Sequence, residues 1–139
     1  MLGVAEMARD LLEAWNRRDW GRYREMLHPE FSYTGGDGQR REGPEVGLAV
    51  AQGFASAFPD GRIDVQRIHT SGVTAIAEFI GRGTHEGEFM GIAPTGREVE
   101  IPVVDVLETR EGLIRAEREY MDMLYLMQQM GAAPGSPPA

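Results

Sequence analysis

An α+β fold, in which N-terminal helices cover one face of a curved antiparallel sheet, is the class this chain predicts. Two observations lead there. Up to residue 58 the apolar positions recur every three or four residues, and after residue 61 they alternate. The later segments are separated by short glycine-containing turns, the connections of a strand meander. With 139 residues, 42% of them hydrophobic, the chain suffices for one domain around one core. A single domain over 1–131 is expected, with a disordered tail, AAPGSPPA, over 132–139.

Each element has its own signal. Val4, Met7, Ala8, Leu11, Leu12 and Trp15 form one face of an opening helix, with Glu6, Arg9, Asp10 and Glu13 between them. Asp19 is placed to cap a second short helix carrying Trp20, Tyr23, Met26 and Leu27, which Pro29 ends. Phe31 to Tyr33 reads as a short strand before a glycine-rich turn over 35–38. A third helix, from Pro44 to Phe58, has proline in its first turn and stops at Pro59-Asp60-Gly61. Four strands follow over 62–70, 73–85, 97–109 and 113–120, and a short helix over 123–130 closes the domain.

Composition excludes several chemistries. The 22 acidic and 14 basic residues give a net charge of −8, which repels phosphate backbones and anionic lipid, so neither nucleic acid nor membrane is an expected partner. The chain has no cysteine and no lysine; thiol nucleophiles, thiolate metal sites and Schiff-base lysines are excluded. No apolar run approaches membrane-spanning length and no signal peptide opens the chain, so a cytoplasmic protein is the default expectation. His28, His69 and His85 are scattered and give no metal-ligand spacing. No Gly-x-Ser-x-Gly or phosphate-loop pattern is present, which leaves acid–base chemistry by carboxyls.

Two clusters carry that chemistry. Val99, Ile101, Val103, Asp105 and Leu107 share one strand face, so Asp105 interrupts an apolar stripe. It is either a carboxylate tied to an arginine or backbone group, or a pocket acid with a raised pKa. On the last strand Glu117 and Glu119 share one face, and Arg118, Tyr120 and Asp122 share the other. One of these sets faces inward beside Asp105, unless the strand is a solvated edge with cross-strand ion pairs. His85, at a glycine-bounded strand end, is a pocket base or donor or else a structural histidine. Trp15, Tyr33, Phe79 and Phe89 are mostly core aromatics, a subset of which would line an apolar ligand cavity.

The segment Gly83-Thr84-His85-Glu86-Gly87-Glu88-Phe89-Met90-Gly91-Ile92-Ala93-Pro94-Thr95-Gly96-Arg97 resembles the SnoaL-like polyketide cyclases of the nuclear transport factor 2-like superfamily. So do Trp15-Asn16 with Asp19, Leu27-His28-Pro29-Glu30-Phe31, Phe58-Pro59-Asp60, Val104-Asp105-Val106 and Gln128-Gln129-Met130-Gly131. The resemblance implies a cone-shaped barrel, an apolar pocket for a hydrophobic small-molecule substrate, a homodimer and no cofactor. It implies an intramolecular aldol closure, or an isomerase-like reaction, with an acid on the last strand, Glu119 or Asp122, as general acid/base. Asp105 or Glu108 on the neighbouring strand would assist, and His85 or Tyr120 would steady an enolate. Where the family commonly carries a His-Trp-Asp type cluster, this chain has Glu117-Arg118-Glu119. The ending Arg118-Glu119-Tyr120-Met121-Asp122 is similar to limonene epoxide hydrolases, which implies epoxide opening by water as an alternative reaction. Non-catalytic small-molecule binding is the third possibility that the fold supports.

Overall fold

The first helix forms where the apolar spacing begins. In the computed structural model, which describes residues 2–136, α1 (Val4–Asn16) buries Met7, Ala8, Leu11, Leu12, Ala14 and Trp15 along one side. The Asp19 carboxylate accepts the Arg22 backbone N–H at 3.1 Å and so caps α2 (Trp20–Glu25). That helix ends two residues before β1 (Leu27–Thr34), earlier than the apolar spacing alone predicts. The residue before a proline avoids the helical region, so His28 is already extended and Leu27 pairs with Ile114.

An edge strand, β2 (Arg40–Glu42), pairs antiparallel with β1. Its three polar residues offer no alternation, which hides it from a pattern search. Next come α3 (Pro44–Ala57) and the meander of β3 (Arg62–Ser71), β4 (Thr74–Thr84), β5 (Glu98–Arg110) and β6 (Leu113–Met121), with α4 (Met123–Gln129) at the end. The strand order is β2-β1-β6-β5-β4-β3.

Two expectations need correction here. The sheet is mixed, not antiparallel throughout, because β1 runs parallel to β6. It is also open: β2 and β3 are its two edges, so no closed barrel forms. Helices occupy the space that strand pairing would close; α1 packs on β3 and β4, and α3 packs on β1 and β2. Strand patterning specifies which residues share a face, but not strand direction or sheet closure.

The inward residues of β5, from Val99 to Thr109 at every second position, form the spine of the core. One apolar cluster around Leu11, Phe31, Leu107 and Ile114 and another around Phe58, Phe79, Val103 and Leu126 fill the space under the helices. Beyond α4, Ala132 N–H donates to the Met127 carbonyl and the Gln128 amide to that of Pro134, both at 2.9 Å. Residues 137–139 of the expected tail lie outside the described residues. No helix among the described residues is long and apolar enough to cross a membrane.

The β4–β5 connection docks on the end of α3. Backbone N–H groups of Glu86 and Gly87 donate to the Ala57 carbonyl at 3.1 and 3.0 Å, and Phe89 packs against Phe54 and Phe58. A Cβ at Gly87 would stand 2.1 Å from the Ser56 carbonyl oxygen. Gly87→Ala is therefore expected to destabilise the domain by about 1–3 kcal/mol. A thermal melt checks this, and an unchanged midpoint would mean that the segment is not held there.

Candidate active site

The meander places three carboxyls on one inner surface. Asp105 of β5 stands directly opposite Glu119 of β6, and Glu117 stands opposite Leu107. Which face of β6 turns inward is decided by a β-bulge. Ile114 pairs with Thr109 and Ala116 pairs with Glu108, so Arg115 is the extra residue. Without it, the alternation starting at the buried Ile114 would carry on to Arg118 and Tyr120. With it, Glu117 and Glu119 face the core, and Arg118 turns outward to an ion pair with Glu108.

Oxygens of Asp105, Glu117 and Glu119 lie within 4.8 Å of one another. They sit at one side of a cavity of about 100 Å³ whose other walls include Leu12, Trp15, Phe54, Phe58 and Phe79. Trp15 Nε1–H donates to the Ala51 carbonyl at 3.0 Å, tying α1 to α3 across this space. The Tyr33 hydroxyl donates to Glu119 Oε1 at 2.9 Å. Tyr23, from α2, also lines the cavity.

The electrostatics follow from burial with no cationic side chain among the described residues shifting the three carboxyls. Asp105 is fully buried, and neither of its oxygens meets a donor group among the described residues. The Glu117 and Glu119 carboxyls are its polar neighbours in the cluster, and carboxyls can hydrogen-bond to one another only when a proton is held between them. Burial pushes Asp105 well above the usual carboxylate range, and the charges of Glu119 and Glu117 add to the shift. Burial raises Glu117 to about 7, against the hydrogen bond with Asp105. Glu119 is raised by burial too, but hydrogen bonds from Asp105 and Tyr33 oppose the shift. Of the three, Glu119 is thus the one best supported as an ionised carboxylate. Burial and the neighbouring carboxyls raise both Tyr23 and Tyr33, which keeps the phenols protonated as donors. The three carboxyls are close enough to converge on one cation, an arrangement that requires all three to ionise in an apolar site.

A family model described as SnoaL-like polyketide cyclase matches residues 5–130. The chain belongs to that family. Among curated SnoaL-like relatives, aklanonic acid methyl ester cyclase AcmA of Streptomyces galilaeus is 26% identical over 125 residues, 88% of this chain and 87% of AcmA. The cyclase of the same name from Streptomyces peucetius, DnrD, is 25% identical over 129 residues, 91% of this chain and 89% of its own. Among solved structures, a SnoaL-like polyketide-cyclase homologue from Jannaschia sp. CCS1 superposes with a TM-score of 0.87 at 25% identity, covering 94% of this chain and 93% of that one. IdmH of Streptomyces antibioticus, a candidate polyketide cyclase, gives 0.81 at 29% identity, over 94% and 99% of the two chains.

Within this SnoaL-like chain the residues singled out from sequence separate into two groups. Asp105, Glu119, Trp15, Tyr33 and Phe79 line the cavity. Asp122 lies outside it, exposed, where its carboxylate caps α4 by accepting the Tyr125 N–H at 2.9 Å. Tyr120 is on the outer face and 57% exposed, and Glu108 pairs with Arg118. Phe89 lies behind the cavity wall, its ring packed at a tilt against those of Phe54 and Phe58. His85 is buried beside Phe58, its Nδ1 2.9 Å from Thr95 Oγ1. It is eight residues along β4 from Ala77, the partner of Asp105, or roughly 25 Å at strand spacing. The sequence places Glu117 in the last-strand cluster but gives it no role of its own, and it gives Tyr23 no place in the site. The shared face of Glu117 and Glu119 was the signal for the first; Tyr23 looked like any core aromatic on a helix.

Proposed function

We propose that this SnoaL-like protein is a cofactor-independent cyclase that closes a ring by intramolecular aldol addition in a hydrophobic, oxygenated small molecule. The observation that carries this reading is the buried carboxyl cluster, on which no arginine or histidine acts among the described residues. A carboxylate balanced by a guanidinium is a weak base, whereas one held among carboxyls in an apolar cavity gains proton affinity.

Glu119 takes a proton from the carbon α to a carbonyl. The enolate carbon then bonds to a second carbonyl carbon of the same molecule, and Glu119 returns the proton to the new alkoxide. Asp105 stays protonated and donates to Glu119, which keeps a second negative charge out of the cluster. The apolar walls hold the chain folded and exclude water that would quench the enolate. Isomerase-like proton transfer needs the same first step without bond formation. Epoxide hydrolysis by an acid–arginine–acid set has less support, because no arginine acts on these carboxyls among the described residues.

The test is α-proton exchange from β-tetralone, a benzo-fused cyclic ketone with benzylic α-protons, followed by NMR in deuterium oxide. Exchange that depends on Glu119 supports the reading; exchange indifferent to Glu119 ends it. The same reading includes a homodimer formed through the outer sheet face, where Tyr120 is exposed and Ile76, Ile80, Val104 and Val106 are half-buried. Light scattering is expected to give twice the 15.4 kDa chain mass, and a monomer at micromolar concentration counts against it.

A further inference from the structure

Glu119 and Asp105 suffice for the reaction above, yet the cavity holds a third carboxyl. Glu117 is 5% exposed and lies beside Leu107 of β5 and Tyr33 of β1. A structural glutamate this deep is ordinarily tied to a cation or to backbone donors. Glu117 has neither among the described residues: the polar groups clustered with its carboxyl are the carboxyls of Asp105 and Glu119, with oxygens within 4.8 Å of one another. The titratable groups facing it are Asp105, Glu119, Tyr23 and Tyr33, all of them acids. Its carboxyl also borders the cavity, on the same inward face of β6 as the base.

We infer that Glu117 is a further catalytic residue, the acid that protonates the substrate carbonyl oxygen while Glu119 removes the neighbouring α-proton. This rests on the acid–base reading of the site given above. In the first step the C–H bond breaks toward Glu119, and the carbonyl oxygen takes the proton of Glu117, giving an enol. In the second, the enol carbon bonds to the second carbonyl carbon. The enol proton returns to Glu117, and the new alkoxide takes the proton held on Glu119. Both residues end as they began, with no proton lost to water. The net charge of the cavity is unchanged, but the single negative charge passes from Glu119 to Glu117 and never has to rest on the substrate oxygen beside the other carboxyls.

Two measurements test this. In an NMR titration of protein labelled at its Asp and Glu carboxyl carbons, one glutamate is expected to titrate near neutrality and to vanish from the spectrum in Glu117→Gln. If the glutamate resonance that titrates near neutrality is the same one in Glu117→Gln, or if the Glu117 signal lies in the ordinary carboxylate range, the assignment is overturned. In the β-tetralone assay Glu117→Gln is expected to slow exchange roughly ten-fold or more and to abolish the decline of rate on the alkaline side. Glu117→Asp, which keeps an acid, is expected to recover part of the rate and the alkaline decline. Full rate with an unchanged pH profile in Glu117→Gln overturns the inference. If instead Glu119→Gln exchanges as fast as wild type, the acid–base reading fails, and the titration still decides whether Glu117 holds the proton.

Discussion

Glu119→Gln is expected to lower β-tetralone exchange by roughly a hundred- to ten-thousand-fold, the range of a lost general base, with the fold intact. The amide keeps the size of the side chain and can still accept from Tyr33, so the change removes a proton acceptor and little else. Asp105→Asn is expected to slow exchange by about ten-fold, a smaller loss, because its amide still offers a donor toward Glu119 but exchanges no proton. Its melting point is expected to be unchanged or higher at neutral pH. The wild-type carboxyl is fully buried and finds no donor group, so its ionised form has nothing to compensate its desolvation. Full activity in both single variants would remove the acid–base assignment.

The second large effect is on stability against pH. Glu117 is raised from 4.5 to about 7, and Asp105 and Glu119 are raised as well. Each therefore binds its proton more tightly folded than unfolded. Their contribution is fully present below the unfolded values and is lost as pH rises through the folded ones. For Glu117 alone this is about 3 kcal/mol across the window from about 4.5 to 7. Asp37, Asp60 and Glu78 shift the opposite way, through hydrogen bonds with Arg41, Thr84 and His69. Their stabilisation is present above the unfolded values and is lost only as pH falls further. The melting temperature is accordingly expected to be on the order of 10 °C higher near pH 5.5 than near pH 8, and Glu117→Gln is expected to flatten that slope. A net charge of −8 adds self-repulsion at the alkaline end, and the variant separates it from the cluster. A wild-type midpoint that rises between these two conditions would contradict the raised carboxyls.

Much of this arrangement was readable before any coordinates. The spacing of Leu11, Leu12 and Trp15, the cap at Asp19 and the proline at position 44 define the helices, because capping and amphipathicity act within one or two turns. The stripe from Val99 to Leu107 marks β5 and makes Asp105 conspicuous, since side-chain alternation is a property of a single strand. Even the pairing of Glu117 with Glu119 on one face of β6 follows from that period of two.

What no single-strand pattern contains is the relation between strands. The parallel contact of β1 with β6 brings Tyr33 to Glu119, and the docking of α2 brings Tyr23 to the same wall. Above all, the bulge at Arg115 decides that the glutamates, and not Arg118 and Tyr120, turn toward Asp105. A one-residue slip in pairing reverses every side chain beyond it, and that slip is a property of two strands registered against each other. Local sequence therefore determined the elements and the candidates, while tertiary pairing alone decided which carboxyls share a cavity.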